Sequence, residues 1–269
     1  MFKKSILILG LIILIITFNT MAVAEDLSMT IIYDNYSYQE NLSTDWGFSC
    51  YIEGLHDNIL FDTGKNGVIL LDNMERLAIK PEIIDTIILS HHHQDHTGGL
   101  NDFLNSNNEV DVYIPNSFLD MQKQNIKQAG ANLINIVDST KICDSVFSTG
   151  ELGVVVKEQS LIIKTNKGLV IITGCAHPGV VKIVKKAKEL YSEDIYLLMG
   201  GFHLNDENTS EIKEIAEQLK KEGVIKVAPS HCSGDKARNI FSPVFKDNYI
   251  ISGVGKKIII KNSFENKVP

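Results

Sequence analysis

Ile83-Ile84-Asp85-Thr86-Ile87-Ile88-Leu89 runs directly into Ser90-His91-His92-His93-Gln94-Asp95-His96-Thr97-Gly98-Gly99. The first part reads as a buried strand, and the second sets four histidines and an aspartate at its carboxyl end. His91 and His93 are two apart, so on an extended segment their rings share one side. Asp95 and His96 fall where the chain turns toward Gly98-Gly99. Imidazole nitrogens and carboxylate oxygens suit Zn²⁺, Fe²⁺ or Mn²⁺, and donors so spaced can seed two adjacent metal sites. His92 faces the other way, as a packing or supporting residue. A chance polar loop or a tag would not follow an internal apolar strand and lead into His-Thr-Gly-Gly.

Three further histidines close apolar strands in the same manner. His177 lies in Thr173-Gly174-Cys175-Ala176-His177-Pro178-Gly179, after Leu169–Ile172. His203 lies in Gly200-Gly201-Phe202-His203-Leu204, after Ile195–Met199, and His231 in Pro229-Ser230-His231-Cys232-Ser233-Gly234, after Val224–Val227. Each alone reads as a structural histidine; three at successive strand ends, beside the cluster, point to one shared site. His56 precedes Asp57-Asn58 and reads as a surface residue.

Further strands are expected at Met29–Tyr33, Phe48–Ile52, Ile59–Phe61, Tyr249–Ile251 and Lys257–Ile260. Leu161–Lys164 and Leu169–Thr173 form a hairpin around Asn166-Lys167-Gly168. Helices fit Val68–Ala78, Val180–Tyr191, Ser210–Glu222 and Lys236–Phe245, with a polar helical segment from Pro115 to about Gln128. Strands first, then β-α alternation, then strands again imply an α/β fold of two packed sheets with helices outside, a four-layer sandwich.

The chain has 269 residues, 44% hydrophobic and 22% charged, which excludes disordered and collagen-like classes. Its net charge of −7 argues against nucleic acid as a partner. Residues 1–24 carry Lys3 and Lys4, an apolar run Ile6–Phe18, and Ala22-Val23-Ala24, the pattern of a secretory signal. The run is about 13 residues against the roughly 20 a spanning helix needs, so a cleaved signal is favoured over an uncleaved anchor. Cleavage would leave residues 25–269 as one domain, exported, with 24 basic against 33 acidic side chains and no membrane affinity of its own. Cys50, Cys143, Cys175 and Cys232 are open to disulfide pairing or to service as buried thiols. Cys175, two residues before His177, and Cys232, directly after His231, are expected to sit together near a shared site. No feature of the sequence sets the oligomeric state.

His91-x-His93-x-Asp95-His96, with Asp62 in Phe61-Asp62-Thr63-Gly64 and with His177 and His231, resembles the metallo-β-lactamase superfamily of metal-dependent hydrolases. The resemblance covers roughly residues 29–261. More narrowly, the Gly174–Gly179, Gly200–Leu204 and His231–Gly234 motifs resemble the subgroup named for a dihydropterin-linked ribofuranosylaminobenzene phosphate synthase. It implies an αββα fold, with one ion on His91, His93 and His177 and a second on Asp95, His96 and His231. Zinc is the favoured metal, with manganese or iron as alternatives. The superfamily's bridging aspartate at the fourth motif is missing, since Gly200-Gly201-Phe202-His203 stands there; the site is therefore expected to work with one or two ions. His203 is left either to approach a metal or, the favoured role, to donate a hydrogen bond to substrate.

Asp95 would orient the hydrolytic water, Asp62 would fix the tautomer of a ligand histidine, and Lys236 and Arg238 either meet a substrate anion or are solvated helix charges. The expected activity is hydrolysis of a small phosphoester, lactone or amide. The subgroup instead implies a transferase that makes a carbon–carbon bond with loss of pyrophosphate. A third alternative is a metal-dependent sensor with little turnover. β-Lactamase activity is disfavoured, because Gly200–Leu204 holds no cysteine.

Overall fold

The computed structural model describes residues 26–261. The first half runs β1 (Leu27–Tyr33), β2 (Ser49–Glu53), β3 (Ile59–Phe61), α1 (Gly67–Arg76), β4 (Thr86–Ile88), α2 (Gln94–Thr97), α3 (Leu100–Ser106), β5 (Asp111–Pro115), α4 (Asp120–Gln128) and β6 (Asn132–Ile136). The second half runs β7 (Thr140–Cys143), β8 (Val146–Ser148), β9 (Leu161–Thr165), β10 (Gly168–Thr173), α5 (Val180–Tyr191), β11 (Ile195–Gly201), α6 (Thr209–Lys221), β12 (Val224–Ser230), α7 (Gly234–Phe245) and β13 (Lys257–Ile260). One sheet has the order β13-β1-β2-β3-β4-β5-β6 and the other β12-β11-β10-β9-β8-β7.

Side-chain alternation explains why these strands read as unbroken apolar runs. In β10, Leu169 and Ile171 pack outward against Val184 and Phe241 of the helices, while Val170 and Ile172 point inward between the sheets with Met29, Phe61 and Met199. In β4, Ile87 joins Leu70 and Phe103 under α1 and α3, whereas Ile88 joins the inter-sheet layer. Both faces of each sheet are thus covered, giving the four layers αββα. An inter-sheet side chain such as Ile172, fully buried, should cost about 2–5 kcal/mol when cut to alanine.

Parallel pairing sets the site at one edge. β3, β4, β5 and β6 run parallel in one sheet, and β10, β11 and β12 in the other. β1 is antiparallel to β2, which is antiparallel to β3, so β1 also ends at that edge. The segments that follow β1, β3, β4, β10, β11 and β12 carry every residue of the cluster described below.

Several elements differ from the sequence reading. Pro115 ends β5 rather than opening a helix, where its missing N–H costs only a terminal ladder bond. A 3-10 turn at Pro81–Ile83 shortens the expected strand to Thr86–Ile88. Tyr249–Ile251 makes only an isolated parallel bridge between Val227 and Tyr249. The four cysteines are free thiols. The expected export segment, residues 1–24, lies outside the described residues; among the described residues no helix is long and apolar enough to cross a membrane.

Candidate metal centre

The apolar strands end abruptly in turns that hold site residues in the left-handed region. Asp62, Ala176, His203 and His231 have φ of 56°, 63°, 54° and 46°. Non-glycine residues pay for such a conformation, and it clusters where surrounding structure imposes it for function. Gly174 is required by close approach: a Cβ there would collide with Ser90 Oγ.

Two donor groups converge at this edge. His91, His93 and His177 each offer a ring nitrogen, all within 4.8 Å of one another. Asp95, His96, His231 and Cys175 form a second group on the same criterion. The rings of His91 and His96 lie 4.3 Å apart, so the groups adjoin.

Asp62, fully buried, organises both groups. It accepts from Ser90 N at 2.7 Å and from Ser90 Oγ at 2.8 Å. With the Ser90 hydroxyl proton so directed, its oxygen accepts from His91 Nδ1 at 2.9 Å, which leaves His91 Nε2 a free lone pair beside His93 Nδ1, 3.1 Å away. His96 Nδ1 donates to Asp62 Oδ2 at 2.7 Å, turning Nε2 toward Asp95 and Cys175 Sγ at 3.5 Å and 3.2 Å. His231 Nδ1 lies 3.0 Å from Asn35 Oδ1 and donates to it. His231 Nε2 is then the free nitrogen, 3.2 Å from Asp95 Oδ2 but outside hydrogen-bond geometry.

Two buried imidazole nitrogens of these groups, His177 Nε2 and His231 Nε2, have no hydrogen-bond partner among the described residues. An orphaned buried polar atom is costly, and a divalent cation between each nitrogen and its neighbours would satisfy it. Among the described residues, the donor set of imidazole, carboxylate and thiol fits such ions.

The two groups differ in charge. Burial, then neighbouring His96, His177 and His93, hold His91 well below the usual imidazole range. Burial, then His203, His93 and His96, take His177 down to about 3. These rings are neutral. At His96, burial also opposes charge, but Asp62 and Asp95 outweigh it and hold the ring protonated up to about 10. Burial favours the neutral acid at Asp95, yet His231 and His96 keep its carboxyl well below the usual range. A proton on His96 therefore stands where the second group invites a cation, and a bound ion would displace it.

Three positioning residues escaped the sequence reading. Glu158, buried, accepts the backbone N–H groups of Gly174, Cys175, Ala176 and His177 at 2.8–3.2 Å, fixing the loop that presents Cys175 and His177. Burial pushes its carboxyl up to about 7, against the N–H groups of Ala176, His177 and Cys175 and the nearby His96. Asp34, also buried, accepts from Ser230 Oγ and from His231 N, and Asn35 orients the His231 ring. Only a strand end followed by Asp34-Asn35 could have signalled this pair. Trp46 was likewise missed. It is 44% exposed, with its ring 4.8 Å from that of His231, and stands at the mouth.

His203 is exposed at the mouth, its ring 4.3 Å from His177, and it groups with Cys175 and His177. A hydrogen bond to Cys232 raises its pKa. Lys236 and Arg238 have other partners. Lys236 Nζ donates to the Glu207 carbonyl at 2.8 Å, while Arg238 stacks on Tyr36 at 3.7 Å and donates to the Ser252 carbonyl. His92 packs its ring against Phe118, and His56 is exposed.

This fold and this clustered edge define a class, and the comparisons agree with it: the chain belongs to the metallo-β-lactamase superfamily, whose family model matches residues 47–124. Over 85% of this chain and 95% of the relative, it is 33% identical to 7,8-dihydropterin-6-methyl-4-(β-D-ribofuranosyl)-aminobenzene-5'-phosphate synthase of Methanocaldococcus jannaschii. An uncharacterised protein of the same organism is 30% identical over 85% of this chain and 98% of its own length. Among solved structures, a metal-dependent hydrolase of the β-lactamase superfamily, Tm1679, superposes with a TM-score of 0.76 at 27% identity, over 86% of this chain and 98% of that one. The short form of human tRNase Z shares the fold, with a TM-score of 0.60 at 16% identity over 87% and 99%.

Proposed function

We propose that the protein is a metal-dependent hydrolase of a small phosphoester, lactone or amide, working with two divalent ions, zinc favoured. The observation that carries this reading is the pair of orphaned buried nitrogens, His177 Nε2 and His231 Nε2, each completing a separate donor group. His91, His93 and His177 would hold one ion, and Asp95, His96 and His231 the other. Bound there, the ions would supply Lewis-acid polarisation of the substrate and a hydroxide nucleophile at neutral pH.

The chain's own groups supply the rest. Asp95, kept ionised by its neighbours, orients the nucleophile and accepts its proton's hydrogen bond. His203, exposed at the mouth with its pKa raised, donates to the oxygen on which charge grows or to the leaving group. Asp62 holds the His91 and His96 rings in the required tautomers. The N-terminal pattern supports export of this hydrolase, and cell fractionation with determination of the mature N-terminus tests it.

A second reading follows the 33% identity to the M. jannaschii synthase: a transferase joining a dihydropterin to a ribofuranosylaminobenzene phosphate. Trp46 favours it locally, because its half-exposed ring beside His231 offers a planar face to an aromatic substrate. Purified protein loaded with Zn²⁺ or Mn²⁺ should be assayed on phosphodiester, lactone and amide substrates and, separately, for pyrophosphate release from a pterin pyrophosphate. Hydrolysis without a second substrate supports the first reading. Pyrophosphate release only when an aminobenzene acceptor is present supports the second. Binding of metal with neither activity would leave a sensor.

A further inference from the structure

Cys175 is explained by neither reading as a mere neighbour. Its side chain is buried, and Sγ lies 3.2 Å from His96 Nε2, within the group of Asp95, His96 and His231. The same sulfur groups with His177, a member of the all-histidine set, and with His203. The loop that carries it is fixed by the Glu158 carboxylate through four consecutive N–H groups, so the backbone from which the sulfur projects is held in place. The strand end where the superfamily would put a bridging aspartate carries Gly200-Gly201 here, and β11 pairs directly with β10, the strand that leads to Cys175. Gly201 has no room for a side chain: a Cβ there would meet the Gly174 carbonyl and would lie 2.6 Å from Cys232 Sγ. The Cys232 sulfur and the Cys175 backbone thus adjoin the strand end from which the carboxylate is missing.

We infer that Cys175 is the fourth protein ligand of the ion held by Asp95, His96 and His231, its thiolate standing in for the absent fourth-motif carboxylate. The inference rests on the metal-centre reading above and deepens it. On binding, the Sγ–H bond breaks, the proton passes to solvent, and the sulfur electron pair is donated to the ion. No oxidant or reductant is needed. A thiolate in the set biases the second position toward zinc, cobalt or ferrous iron and away from manganese and magnesium, which favour oxygen donors. Cys232 is the internal control. It is equally buried and adjacent, with Sγ 3.5 Å from the Cys175 carbonyl, yet it belongs to none of the donor groups.

The test is the near-ultraviolet spectrum and metal content of the full chain loaded with Co²⁺. Wild type and Cys232→Ser should bind two ions and show a thiolate-to-cobalt charge-transfer band. Cys175→Ser should lose the band and retain one ion. Its second ion should weaken by more than the roughly 10–100-fold that removal of an outer hydrogen-bond partner costs. Cys175→Asp should regain the second ion without the band and shift its preference toward Mn²⁺, which separates lost ligation from lost folding. Two ions in wild type with no band, or a band lost in Cys232→Ser and kept in Cys175→Ser, would overturn the inference and leave the metal centre standing. Failure of wild type to bind any ion would overturn the metal centre itself, and this inference with it.

Discussion

The two halves of the centre are built on opposite principles. His91, His93 and His177 form an all-imidazole set, with His91 and His177 kept neutral by burial and by each other's proximity. Asp95, His96, His231 and Cys175 form a mixed set in which an ionised carboxylate faces a protonated ring. The first set is ready to donate lone pairs. In the second, Asp62 and Asp95 favour a charged His96 ring, with which a bound cation would compete. One fold edge can thus set a neutral donor set beside a charged one, and ions bound at the two would differ in how their affinity depends on pH. Asp62 is the element common to both, since it reaches His91 through Ser90 and His96 directly.

The largest expected effect comes from breaking the all-histidine half. His93→Ala should reduce turnover to background and remove the first ion, as measured by metal analysis and by the substrate panel; unchanged rates would refute the assignment of this half. Asp62→Ala should weaken both ions together by about 10–100-fold, because it releases two tautomers at once. A competition assay with a chromophoric chelator that found only one ion weakened would show that the halves are independent of Asp62.

Glu158→Gln comes next. The amide keeps the shape but turns an N–H₂ toward backbone donors. Thermal unfolding of the metal-free protein should reveal a loss of about 1–3 kcal/mol, and both ions should weaken, since the loop carries His177 and Cys175. Asn35→Ala, the smallest perturbation, should weaken the second ion by about 10-fold and leave the first untouched. Equal loss at both would erase the distinction between the halves.

Much of this was legible in the sequence. The ligands sit at the ends of apolar strands: His91 and His93, two apart, meet in the bend after β4, and His177 and His231 close β-α units. The αββα layering followed from the order of strands and helices, because strands buried on both faces keep unbroken apolar runs. What stayed hidden was support. Glu158 acts on backbone N–H groups, which have no residue signature, and Asp34 reaches His231 from a strand nearly two hundred residues earlier. β5–β8 were missed because they are only 3–5 residues long, and β6 and β7 are mostly half-buried or exposed, so their pattern is too short to separate from loop. Lys236 and Arg238, which follow the His231 motif, were left open between substrate-anion contacts and solvated helix charges; in the structure Lys236 donates to the Glu207 carbonyl and Arg238 stacks on Tyr36.

The most direct measurement is the anomalous scattering of zinc-loaded crystals at the zinc absorption edge. Two peaks are predicted, one about 2.0–2.1 Å from the free nitrogens of His91, His93 and His177 and the other at similar distances from Asp95, His96 and His231. A fully zinc-equilibrated crystal with no peak at this edge of the sheets, or with zinc bound elsewhere, would contradict the account.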